Sequence, residues 1–168
     1  MANLPNLTNV SDDAKALAEL MQDVLDKIVA TYNSYSMPIP DKKYWTFGIP
    51  SVDCEQLVVT FIQMYLGAPG DEANVPRRCN DPRSAVLNIV VSRPVPVVSA
   101  SGQAPTAQSI IDGSMASAYD TWILMESAAN FDTWAQSGFG LGVIATIESA
   151  APEGGFQTVT MTITLAVP

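Results

Sequence analysis

Two long apolar stretches, Leu57–Leu66 and Ala85–Arg93, constrain this chain more than any other feature. Both are rich in β-branched residues and are bounded by turn-forming segments, so both are predicted strands. In the first, Leu57, Val59, Phe61 and Tyr65 fall on one face and Val58, Ile62, Met64 and Leu66 on the other. A strand apolar on both sides is expected at a sheet centre, covered twice, by helices or by neighbouring subunits. The second alternates more cleanly, with Ala85, Leu87, Ile89 and Val91 opposite Asn88 and Ser92, and Pro94 and Pro96 end its ladder.

The remaining segments arrange themselves around this pair. After an N-terminal arm over 1–10, Ser11 is placed as a helix N-cap, with Asp12 and Asp13 where the helix dipole favours negative charge. Leu17, Leu20, Met21, Val24, Leu25, Ile28 and Tyr32 then recur at helical spacing, which predicts an amphipathic helix over Asp12–Asn33. Its apolar face fits the protein's own sheet or a partner's groove. Pro38 and Pro40 close that region, and Lys43–Ile49 reads as a short edge strand whose Tyr44, Trp45 and Phe47 serve packing or recognition. Thr106 is placed as the cap of a second helix over Ala107–Phe131. Its residues Ile111, Met115, Ala118, Trp122, Met125 and Ala129 advance by alternating steps of four and three, a narrow stripe expected to pack as core. Phe139–Glu148 and Phe156–Val167 form a closing hairpin, turned by Pro152, Gly154 and Gly155. In its last strand Thr158, Thr160, Thr162 and Thr164 share one face, expected to be solvated or to meet another subunit. The order α-β-β-β-α-β-β predicts a single α+β domain over 1–168, its two helices packed on a mainly antiparallel or mixed sheet.

The loop Gly67–Ser84 is long for a hairpin and carries Asp71, Glu72, Arg77, Arg78, Asp81 and Arg83. These charges fit a phosphate clamp, or a set that pairs internally or across a subunit boundary. Cys54 and Cys79 bracket the first strand, whose length puts them about 30 Å apart unless the loop folds back. Free thiols are the default and a disulfide the alternative.

Chemistry is sparse. The 168 residues include no histidine, which removes the commonest general base, the commonest zinc ligand and the Ser-His-Asp arrangement together. Asp53 and Glu55 flank Cys54 without forming a catalytic pair, and Asp112, Asp120, Glu126 and Asp132 lack metal-ligand spacing. No GxSxG elbow or phosphate-binding glycine loop occurs. No enzymatic activity, cofactor or metal is expected. A net charge of −9 disfavours tight binding to nucleic acid or to anionic membranes. The first residues do not read as a signal peptide and no stretch is long enough to span a bilayer, so a soluble, cytoplasmic product is expected.

From Asp12 onward the chain resembles the tail terminator family of long-tailed, siphovirus-type phages of actinobacteria. The resemblance rests on Asp53-Cys54-Glu55-Gln56-Leu57 opening a strand, Cys79 in the following loop, and Arg93-Pro94-Val95-Pro96 closing the next strand. Trp122 in the second helix and the Gly-rich terminal hairpin Gly138–Val167 complete it. Pro94 departs from that pattern, which has a small residue or cysteine there. The resemblance implies a virion structural protein at the tail–neck junction, assembled in the host cytoplasm. It implies a homohexameric ring that caps the tail tube protein, joins it to a head-side stopper or neck protein, and lets genomic double-stranded DNA pass through its lumen. Asp71, Glu72, Arg77, Arg78, Arg83 and the four threonines of the last strand are the candidate ring-contact residues. Another neck or head-completion protein is the nearest alternative, and a small-molecule-binding α+β cup the more distant one.

Overall fold

Helix α1 (Asp12–Ser34) buries the stripe that the sequence marks out, from Leu17 to Tyr32, against the protein's own sheet. It ends on Ser36, whose φ of 52° is left-handed. Ser36 N–H donates to the Asn33 carbonyl at 3.1 Å and Met37 N–H to the Tyr32 carbonyl at 3.0 Å, a Schellman closure made without glycine. The turn therefore precedes Pro38 and Pro40, which only prevent the helix from resuming. These coordinates are a computed structural model that describes residues 12–70, 83–99, 101–136 and 144–167. The expected arm over 1–10, the cap at Ser11, most of the charged loop and the first half of the strand expected over Phe139–Glu148 lie outside them.

Five strands follow as β1 (Lys42–Thr46), β2 (Gln56–Leu66), β3 (Arg83–Pro94), β4 (Ile144–Ser149) and β5 (Phe156–Val167), with helix α2 (Ala107–Gln136) between β3 and β4. The sheet order is β1-β2-β3-β5-β4, with β1 parallel to β2 and every other pair antiparallel. The protein is thus an α+β domain with a mixed sheet and two helices. Both helices lie on one face, α1 against β1 and β2 and α2 against β3, β5 and β4. The turn before β5 needs its two glycines, since Gly154 and Gly155 have φ of 58° and 83°.

Three expectations change. First, β2 carries a bulge between Phe61 and Gln63. One extra residue reverses the alternation, so Met64 aligns with Ala85 on the helix side while Tyr65 aligns with Ser84 on the other. Tyr65 therefore does not share a face with Leu57, Val59 and Phe61. Second, among the described residues the helices cover β2 on one face. Val58, on the face away from the helices between Tyr44 and Val90, is also fully buried. Third, α2 is turned the other way. Ile123, Leu124 and Phe131 face the core with Ser117, Asp120 and Ser127, whereas Ile111, Met115, Trp122 and Met125 are 41–58% exposed. Inward-facing serines are tolerated because their hydroxyls bond the helix backbone, Ser127 to Ile123 at 2.8 Å and Ser117 to Gly113 at 3.4 Å.

Candidate functional site

The face of the sheet away from the helices is built by the period-two alternation of five strands, and Gln56, Val58, Thr60, Ser84 and Ser92 on it are buried. Across its middle run Thr46, Thr60, Asn88, Thr162 and Thr146, each aligned with the next. Tyr44, Val58, Val90 and Thr160 form the neighbouring row, which ends on Glu148. Lys42 stands at the opposite edge, so the centre is neutral. The four predicted threonines, Thr158, Thr160, Thr162 and Thr164, do share this face and are half-buried among their neighbours. Thr162 donates its hydroxyl proton to Asn88 Oδ1 at 2.8 Å. The hydroxyls of Thr60 and Ser92, also on this face and buried, have no protein partner. An unpaired buried hydroxyl is unfavourable by about 1–3 kcal/mol, so this face has polar capacity left over.

Of the predicted charged residues, Arg83 is not in a loop at all. It opens β3, half-buried, aligned with Leu66 on one side and Val167 on the other. The long connection therefore ends two residues earlier than its composition suggests, because β3 pairs over its full length with β5. Asp71, Glu72, Arg77 and Arg78 lie outside the described residues. So does Cys79, while Cys54 carries a free thiol two residues before β2, its Sγ 3.8 Å from Gln56 Oε1. The Lys42 ammonium is held above its ordinary range, first by a hydrogen bond with Cys54 and then by neighbouring charge.

Beneath the sheet lies a polar cluster that sequence reasoning missed. Arg93 belongs to the parity of β3 that faces the helices, and its guanidinium reaches Asp120 twice, Nε to Oδ2 at 2.9 Å and Nη2 to Oδ1 at 2.9 Å. Its Nη1 also pairs with Glu55, and Nη2 donates to the Pro38 carbonyl at 2.7 Å. Tyr32 donates its phenol proton to Asp120 Oδ1 at 2.7 Å. The carboxylate of Asp120 is 2% exposed and so is fully committed to these partners. Burial raises the Tyr32 phenol well above its ordinary range, and the adjacent Asp120 charge raises it further. Burial alone would weaken the Arg93 cation, but the hydrogen bonds and charge of Asp120 outweigh it, so Arg93 stays charged. The signal was present in part. Register places Gln56 opposite Ser92, which brings the Asp53–Leu57 motif and the Arg93–Pro96 motif side by side. Nothing in the spacing could show that Asp120 would meet them.

This cluster ties four segments and turns no group toward an open cavity. A shallow cleft of about 210 Å³ lies elsewhere, between Val95–Val97, the start of α2 and the β4–β5 turn, with both polar and apolar groups in its lining. Among the described residues no three His, Cys, Asp or Glu side chains converge as a metal site, and no helix is long and apolar enough to cross a membrane. Set against known proteins, the chain matches no family model and no curated protein.

Proposed function

We propose that the chain is an assembly protein of the tail-terminator kind, forming a homohexameric ring that caps a tail tube and presents a docking surface to the neck proteins. The observation that carries this reading is the polar sheet face on the side away from the helices. Among the described residues both helices lie on one face, and the other is a neutral, threonine-lined sheet surface whose buried Thr60 and Ser92 hydroxyls have no protein partner. Polar, uncharged sheet surfaces of this kind suit subunit contacts made with hydrogen bonds. The strands β1 and β4 at the sheet edges offer further backbone groups for a neighbour, and the half-buried Arg83 lies where β3 leaves the sheet toward the charged connection.

The acidic balance of −9 supports the same reading, since a lumen that conducts DNA must not bind it. The resemblance in the Asp53–Leu57 and Arg93–Pro96 motifs supplies the specific identification, and the structure gives those motifs a joint task in the Glu55–Arg93 pair. A ligand-binding cup is less favoured, because the polar groups between helix and sheet are already paired with one another.

Native mass spectrometry of the purified chain, alone and with isolated tail tubes, tests the proposal. A six-chain species, or tubes bearing a cap at one end, is expected. Thr160→Lys places a charge in the centre of the threonine face without touching the core, and should abolish that species while leaving the melting temperature near wild type. Assembly that survives Thr160→Lys would remove the threonine face from the interface.

A further inference from the structure

The outward side of α2 points to a second, separate contact. Ile111, Met115, Ala118, Trp122, Met125 and Ala129 lie within a narrow sector of the helix, directly opposite the buried Asp120, Ile123, Leu124 and Phe131. Met125 is 58% exposed, Ile111 53% and Met115 46%. Trp122 is held in place from one side by Tyr35, ring centroids 4.3 Å apart at 67°, and keeps its other side open. With Tyr119 and Tyr35 beside it, the stripe exposes on the order of 700 Å² of side chain, against the few hundred expected of a monomer and the roughly 800 Å² per partner of a standard interface.

We infer that this stripe is the contact for a second copy of the same chain, with the two α2 helices antiparallel about a two-fold axis. The spacing itself selects that partner. Steps of four and three are the seam of a left-handed helix pair, and this seam reads the same in both directions. Turned about an axis level with Asp120, Ile111 faces Ala129 of the other copy, Met115 faces Met125, and Ala118 faces Trp122. Two of the three layers thus set a large side chain against a small one, as close packing of identical surfaces requires. One edge of the pair is unfavourable, because Asp112 flanks Glu126 of the other copy. The pairing should therefore tighten as salt screens that repulsion. It does not rest on the ring reading, since a two-fold pair is closed while ring contacts are head-to-tail and use the sheet.

Sedimentation equilibrium of the full chain over a concentration series decides the matter. The expected species is a multiple of two chains of 17.9 kDa, with association strengthened by salt. Met125→Glu, at an exposed position, should raise the dissociation constant by about 100-fold or more, and Ile111→Glu at the other end of the stripe should do the same. Asp112→Lys should lower it by about 3–10-fold, because it turns two repulsions into two ion pairs in the antiparallel register. A wild-type monomer, or an association unchanged by both glutamate variants, would overturn the proposal. Weaker pairing in Asp112→Lys would overturn the antiparallel register.

Discussion

Asp120 accepts hydrogen bonds from Tyr32 and Arg93, and with Glu55 it neutralises a cation carried on β3. Removing one partner of such a buried pair leaves the other uncompensated, which costs about 3–5 kcal/mol. Asp120→Ala should lower stability by that order in urea unfolding, far more than the loss of a few packing atoms. Tyr32 makes a pH-dependent prediction. Its folded-state pKa lies above the ordinary value of 10.0, so the folded protein holds that proton more tightly than the unfolded chain. The associated stability is fully present below pH 10 and is lost as the pH rises above it. Denaturation measured from pH 8 to 11 should show wild type losing its advantage over Tyr32→Phe at the alkaline end. A constant difference across that range would contradict the assignment.

At the scale of elements, the two helices differ in what their sequences disclose. In α1 every large apolar side chain from Leu17 to Ile28 lies on one side, so periodicity and burial agree. In α2 apolar residues lie on both sides, and the more regular stripe is the outer one. The inner side is written in Ser117, Asp120 and Ser127, which a pattern of apolar spacing cannot recognise as core. Its orientation follows from a long-range partner, Arg93, and from close approach at Gly113, where a Cβ would lie 3.3 Å from Pro96 Cδ. Leu124→Ala should therefore cost about 2–5 kcal/mol, while Met115→Ala at high dilution should cost little. Equal losses would mean that α2 is turned the other way. Strands β3 and β5 were legible by alternation, including the threonine face of β5, whereas the edge strand expected over Lys43–Ile49 ends at Thr46. The bulge in β2 was not, because an inserted residue leaves composition unchanged and shows only in the register with β3.

At the scale of the molecule, one sheet carries two kinds of surface. Its inner face is closed by two helices and locked by the Arg93–Asp120 cluster. Its outer face is neutral and threonine-lined, and α2 adds an apolar ridge on the far side. Two such surfaces on one domain are suited to meeting other proteins. Within that account the threonine face would close a ring and the α2 ridge would pair free copies. The candidate site was half legible for this reason: surfaces made by alternation within one strand can be read from sequence, whereas the ion cluster draws its members from four separate segments.

The central claim is that this chain stops a tail tube and joins it to a head. It is tested most directly by electron microscopy of particles produced when a phage's copy of this gene carries a stop codon. The account predicts overlong tubes without heads. Normal infectious virions would contradict it, and normal-length free tails beside filled heads would move the protein from the tail end to the neck.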